Sequence, residues 1–222
     1  MTGEMTMGSF AKVCVIFDLD GTLVDSEVQS NQAFLDLLPE LGGTVGDLIG
    51  RYRGLRLAPV LADLERRIGR KLAESFQEDY RRRVVELFDA GLEAMPGAKR
   101  MLEGFAFPYC IASAGPPDKI RHSLRLSGLA PWFGDRVFSS YEVGSWKPEP
   151  GLFLHAARAM GFAPGQCVVV EDSDPGLIAA NAAGMQVIHF APDGRASDIA
   201  CHDRIADLLE LPALIGGLRC AA

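Results

Sequence analysis

Asp18 and Asp20 close an apolar run, and the string from Val15 to Glu27, VIFDLDGTLVDSE, is the stretch of this sequence best equipped for chemistry. On an extended backbone, residues two apart project to the same side, so both carboxylates address one space beyond a strand end. Two anions placed together repel unless a cation or a shared proton stands between them, which implies a hard divalent ion such as Mg²⁺. Gly21 permits a tight turn directly after the pair, and Thr22 adds a hydroxyl. A bare Asp-x-Asp is more often a solvated turn. Here the strand, the paired acids and the Gly-Thr that follows make a longer and rarer pattern.

Three further places carry reactive groups where packing alone does not explain them. Glu171 and Asp172 end the apolar run CVVV, a position where charge is otherwise hard to justify. Of the two, Asp172 is the better direct ligand for Mg²⁺, with Glu171 acting through water. Lys147 lies in WKPEP, and Pro148 and Pro150 before a helical pattern make it a fixed cation rather than a mobile surface lysine. Ser113 follows the apolar run YCIA, and the residue after it is Ala114. Asp174, before Pro175, reads as a helix N-cap and nothing more.

The elements that must position these groups are short apolar strands alternating with helical patterns, the signature of a parallel sheet covered by helices. Strands are expected at residues 12–17, 109–112, 136–139, 167–170 and 186–190, each apolar through its middle as in strands buried on both faces. Helices are expected at 151–160, stopped by Gly161, and at 175–183, stopped by Gly184. Residues 26–94 show only helical periodicity, with stripes such as Phe34, Leu37, Leu38, Leu41 and Phe76, Tyr80, Val84, Phe88. The expected fold is therefore α/β: a Rossmann-like parallel sheet of about five strands formed by residues 1–25 and 95–222, with 26–94 inserted as a small helical cap. The acidic C-terminal stretch with Asp203, Asp207 and Glu210 reads as a solvated final helix.

Bulk properties narrow the function. The chain has 222 residues, 48% hydrophobic and 23% charged, enough for a sizeable core without staples. A net charge of -7 argues against a nucleic-acid binder and requires that any anionic substrate be held by a local cation or metal. The five cysteines (Cys14, Cys110, Cys167, Cys201 and Cys220) follow no ligand spacing, and three sit in apolar runs as buried reduced thiols. No apolar run approaches the roughly 18 residues of a membrane span. The first ten residues lack the basic start and long apolar middle of a secretion signal. A cytoplasmic location is expected, and no protein partner is implied.

The four reactive stretches, taken in order, resemble the motifs of the haloacid dehalogenase-like (HAD) hydrolases: DLDGT, then Ser113 in IASAGPP, Lys147 in WKPEP, and Glu171-Asp172 in VVVEDSDPGLIAANAAGM. The similarity covers nearly the whole chain, and residues 26–94 resemble the small helical cap of that family. It implies that Asp18 is a nucleophile that becomes an aspartyl-phosphate, later hydrolysed. By the same resemblance Asp20 protonates the leaving alkoxide and then activates water, while its backbone carbonyl binds Mg²⁺. Ser113 and the backbone at Ala114 would hold phosphoryl oxygens, and Lys147 would neutralise their charge and hold Asp18. The second motif often reads Ser/Thr-Asn, so Ala114 is a departure that removes an amide from the support of that loop.

The resemblance also constrains the reaction. Dehalogenase members typically lack the acid at Asp20. Mutases resembling β-phosphoglucomutase carry a histidine in the helix after the first motif, where this chain has Ser30 and no histidine before His122. A phosphatase acting on a small phosphate ester is the expectation, with a phosphomutase and a catalytically silent binding module as alternatives. Specificity is expected from RYRGLRL, where Arg53 and Arg56 flank Gly54; arginine pairs with carboxylate or phosphate. The same arginines also read as the solvated basic start of a helix. The stretches SEVQSNQAF, RYRGLRL and LFDAGLEAMPGA resemble bacterial 6-phosphogluconate phosphatases, which implies a sugar-acid phosphate.

Overall fold

The computed structural model describes residues 13–217. Cys220 and the first residue of the strand expected at 12–17 lie outside them. Six parallel strands form one sheet: β1 (Cys14–Phe17), β2 (Tyr109–Ser113), β3 (Val137–Ser139), β4 (Cys167–Glu171), β5 (Gln186–Phe190) and β6 (Asp203–Ile205), in the order β3-β2-β1-β4-β5-β6.

The apolar strand sequences explain this arrangement. Side chains alternate faces with period two, and both faces of β1 are buried. Val15 and Phe17 enter one core with Ile111, Val168 and Val170. Cys14 and Ile16 enter the other with Ala112 and Val169. The first core is closed by α5 (Ala98–Glu103), α6 (Pro117–Leu126), α7 (Ala130–Phe133) and α11 (Leu211–Gly217), through residues such as Met101, Ile120, Phe133 and Leu211. The second is closed by α9 (Gly151–Met160) and α10 (Asp174–Ala182), through Leu152, Phe153 and Leu177. A short helix, α8 (Ser140–Val143), follows β3.

Between β1 and α5 come four helices: α1 (Glu27–Leu37), α2 (Val45–Tyr52), α3 (Leu57–Ile68) and α4 (Phe76–Gly91). Their expected stripes meet in a core made by Phe34, Leu38, Leu48, Tyr52, Val60, Leu64 and Phe76, while Val84 and Phe88 from the end of the last stripe pack in a second cluster with Ala33 and Leu92. Phe34 stacks on Tyr80 at 4.3 Å between ring centroids. The one buried acid there, Asp63, is held by Arg51, Tyr52 and Arg66. The outgoing and returning chains run side by side, with Val24 bridged antiparallel to Ala94 and the Met95 N–H bonded to the Leu23 carbonyl at 2.9 Å.

Two expectations about the C-terminal half are corrected. Asp203 is not helical: it opens the sixth strand, which escapes a search for apolar runs because its sequence is Asp-Arg-Ile and only Ile205 is buried. Asp207 then caps a short 3₁₀ turn over Leu208–Glu210, and the final helix begins only at Leu211. Asp174 is not the cap of α10. Ser173 takes the extended conformation required, and its Oγ accepts the Gly176 N–H, so Asp174 is the first helical residue.

Candidate active site

With β1 flanked by β2 and β4, the sheet order brings three carboxyl ends together: Asp18 after β1, Ser113 closing β2, and Glu171-Asp172 at the end of β4. Such an edge is where open α/β sheets bind ligands. The Asp18 N–H donates to the Val170 carbonyl at 3.0 Å, which ties the two acidic ends to each other. Lys147, between α8 and α9, reaches into the same space although it is only 4% exposed. Its ammonium bonds Asp18 Oδ1, and Glu171 Oε1 at 2.5 Å. The other oxygen of Glu171 accepts the Ser173 N–H at 2.7 Å and the Ser173 hydroxyl at 2.8 Å. Gly176 leaves room for that carboxyl group, since a Cβ there would overlap it.

Asp172 is held differently. Thr22 donates to its Oδ1 at 3.2 Å, while Oδ2 is buried without a hydrogen-bond partner. Gly21, at φ +81°, crosses so close to this carboxylate that a Cβ would overlap it. The Asp20 side chain turns to Ser26 and Lys119: Ser26 donates to Oδ1 at 2.7 Å, and Lys119 donates to both oxygens at 2.7 Å. Ser113 is 1% exposed, and its Oγ accepts the Gly115 N–H at 3.1 Å. Ala114 is half-buried in the loop between them.

The electrostatics follow from counting charges. Asp18, Glu171 and Asp172 are all buried against a single buried ammonium. Burial, reinforced by Glu171 and Asp20 and only partly offset by Lys147, pushes Asp18 up to about 7. Burial, Glu171, Asp18 and Glu27 push Asp172 well above the usual carboxylate range, and Arg53 only partly offsets them. For Lys147, burial alone would lower the value, but Asp18 and Glu171 outweigh it and keep the ammonium charged. Burial would likewise raise Asp20, yet Lys119 and Ser26 hold it below its ordinary value.

This surplus of buried negative charge, with an orphaned Asp172 oxygen, fits a bound cation. Among the described residues no three His, Cys, Asp or Glu side chains form a ready-made metal cage. Mg²⁺ does not need one: it keeps several waters and binds through one or two carboxylates together with phosphate oxygens.

The inserted helices contribute the loop between α2 and α3. Arg53 lies with its Nε 3.8 Å from Asp172 Oδ2 and Nη2 3.0 Å from Asp193 Oδ2. Gly54, at φ +71°, packs its backbone directly on Ser173, where a Cβ would overlap the serine side chain. The Arg56 guanidinium stacks over Trp146 at 4.2 Å from the ring centroid. Arg53 thus reaches the edge that holds Asp172, whereas Arg56 rests on Trp146, the residue before Lys147. Lys119, Ser26 and Asp193 escaped the sequence reading. A lysine in an amphipathic helix and a serine before one read as surface and cap, and no local spacing points either at Asp20.

Residues 13–184 match the family model of haloacid dehalogenase-like hydrolases. The 6-phosphogluconate phosphatase of Escherichia coli (strain K12) is 36% identical over 203 residues, spanning 90% of this chain and 91% of that protein. Among solved structures, a conserved haloacid dehalogenase-like protein from Agrobacterium tumefaciens superposes with a TM-score of 0.79 at 31% identity, over 91% of this chain and 96% of the other. A HAD family hydrolase from Deinococcus radiodurans, solved with bound phosphate and sodium, superposes with a TM-score of 0.77 at 28% identity, over 96% and 100%. With its reactive groups gathered at one sheet edge and relatives matched across nearly its full length, the chain belongs to the haloacid dehalogenase-like hydrolases and is a phosphatase enzyme of that family.

Proposed function

We propose that the chain is a Mg²⁺-dependent phosphatase of small sugar or sugar-acid phosphates, 6-phosphogluconate first among them, working through an aspartyl-phosphate at Asp18. The observation that carries this reading is the buried pair of Asp18 and Lys147 beside an Asp172 oxygen that accepts no hydrogen bond. In the first step an Asp18 oxygen attacks phosphorus and the bond to the leaving oxygen breaks, while Asp20 delivers a proton to that oxygen. In the second, Asp20 takes a proton from water, the water oxygen bonds phosphorus, and the bond to Asp18 breaks to release phosphate. Lys147 keeps Asp18 in line and offsets the phosphoryl charge, and Ser113 with the backbone at Ala114 supplies donors to its oxygens. The Asp18 and Asp172 carboxylates and the Asp20 carbonyl would hold Mg²⁺, with Glu171 reaching it through water; the ion supplies charge neutralisation on the phosphoryl group.

Residues 26–94 act as a cap over a core made by 1–25 and 95–222, and the loop with Arg53, Gly54 and Arg56 selects the substrate. The E. coli relative supports the sugar-acid class, and so does Arg53 beside Asp172, with Arg56 stacked over Trp146. Cys14, Cys110 and Cys167 are free and buried and Cys201 is free, in keeping with a reducing, cytoplasmic setting. No helix among the described residues is long and apolar enough to cross a membrane.

Phosphate release from sugar phosphates, sugar-acid phosphates, phosphoglycolate and nucleotides, measured with Mg²⁺ and with EDTA, tests the reading. Metal-dependent release favouring 6-phosphogluconate is expected. A preference for neutral sugar phosphates would remove the role given to the arginines, and release unaffected by EDTA would remove the metal.

A further inference from the structure

Asp20 is the one acid of the first motif held outside the Lys147 cluster. Its donors come from two elements: Ser26 from the residue before α1, and Lys119 from the first turn of α6. The two grips differ. Ser26 touches only Oδ1, so the carboxyl group could still turn about that contact. Lys119 meets both oxygens at 2.7 Å and sets the direction of the carboxylate, and with Ser26 on Oδ1 the rotation about it is limited as well. The lysine is itself confined. Its stem passes beside Gly115, where a Cβ would come within 3.6 Å of Lys119 Cδ. Its ammonium stands 5.6 Å from the Phe88 ring of α4, in the inserted helices. With 27% of its side chain exposed, against 88% for Lys71, it is no ordinary surface lysine.

We propose that Lys119 is a positioning residue for the reaction, aiming the Asp20 carboxyl group at the leaving oxygen from the seam between α6 and α4. A general acid must lie within hydrogen-bond reach of the atom it protonates, and a shift of about 1 Å at such a group costs up to about 10²-fold in rate. Lys119 needs no contact with substrate to matter: it acts through Asp20, and its place against Phe88 makes the grip depend on where the inserted helices sit. The role given to Lys119 rests on Asp20 being the proton donor.

The test compares kcat/KM for two esters, 4-nitrophenyl phosphate and the alkyl phosphate of the panel above that is turned over fastest. Nitrophenolate departs without a proton, whereas an alkoxide does not. Asp20→Asn and Lys119→Met are each expected to lose far more on the alkyl ester, Lys119→Met by about 10- to 100-fold. The double variant should be no slower than Asp20→Asn alone, and Lys119→Arg should recover part of the loss. Equal losses on both esters, or additive losses in the double variant, would overturn the proposal. If Asp20→Asn shows the preferential loss and Lys119→Met does not, Lys119 alone is excluded. If Asp20→Asn shows none, the proton-donor reading falls and takes the Lys119 role with it. Near-ultraviolet circular dichroism checks the fold of each variant, and Lys119→Gln replaces Lys119→Met should the latter fail to fold.

Discussion

Asp18, Glu171 and Asp172 confront a single buried ammonium, and this imbalance governs how the site behaves without metal. A carboxylate whose value is raised on folding stabilises least when ionised. The relevant stability is therefore fully present below the unfolded carboxylate value of about 4 and is lost as pH rises. For Asp18 the loss is complete above about 7. Metal-free protein should accordingly lose stability between about pH 4 and 7. Asp172→Asn should be the more stable protein at pH 7 in EDTA, and the difference should vanish near pH 4. Urea titrations across that range measure it, and a wild type at least as stable as Asp172→Asn at pH 7 would contradict the charge count. The acids and Lys147 were legible as residues because charge at the end of an apolar run demands a reason. Lys119 was not, since its partner is 99 residues away and only the packing of α6 against the strand end brings them together.

At the scale of elements, the turn from β4 into α10 carries the most constraint. Glu171 folds back beneath the helix start, accepts two bonds from Ser173, and occupies the space a side chain at Gly176 would need. Gly176→Ala should lower stability by about 1–3 kcal/mol or more, as overpacking of a filled site does, and should also loosen the Glu171 grip on Lys147. Chemical denaturation together with activity measures both; an alanine accepted without loss would mean the turn is less filled than it stands here. The strands and helices with long apolar runs or clear 3.6-residue stripes were readable, because a buried face leaves a pattern. The sixth strand left none, having a charged edge-strand sequence. At α10 both Ser173 and Asp174 can cap, and backbone conformation rather than residue type decides between them.

For the whole molecule, the inserted helices have a core of their own. They meet the rest of the chain at the paired crossing of Val24 and Ala94, at Arg53 near Asp172 and Asp193, at Gly54 on Ser173 and at Arg56 on Trp146. A second seam joins α4 to α6, where Lys119 lies over Phe88 and Asp89 pairs with His122. A separate core and a narrow double crossing suit a body that opens to admit substrate and closes to control water. Small-angle scattering should show the radius of gyration falling on addition of Mg²⁺ with fluoroberyllate, a phosphoryl mimic. An unchanged radius would count against closure.

Chemical trapping tests the covalent step at Asp18 most directly. Enzyme quenched during turnover of 6-phosphogluconate and treated with borohydride would have an acyl phosphate reduced to an alcohol, turning the modified aspartate into homoserine. Peptide mass spectrometry should find homoserine at position 18, dependent on both Mg²⁺ and substrate. Homoserine at another aspartate, or turnover with no reducible intermediate, would contradict it.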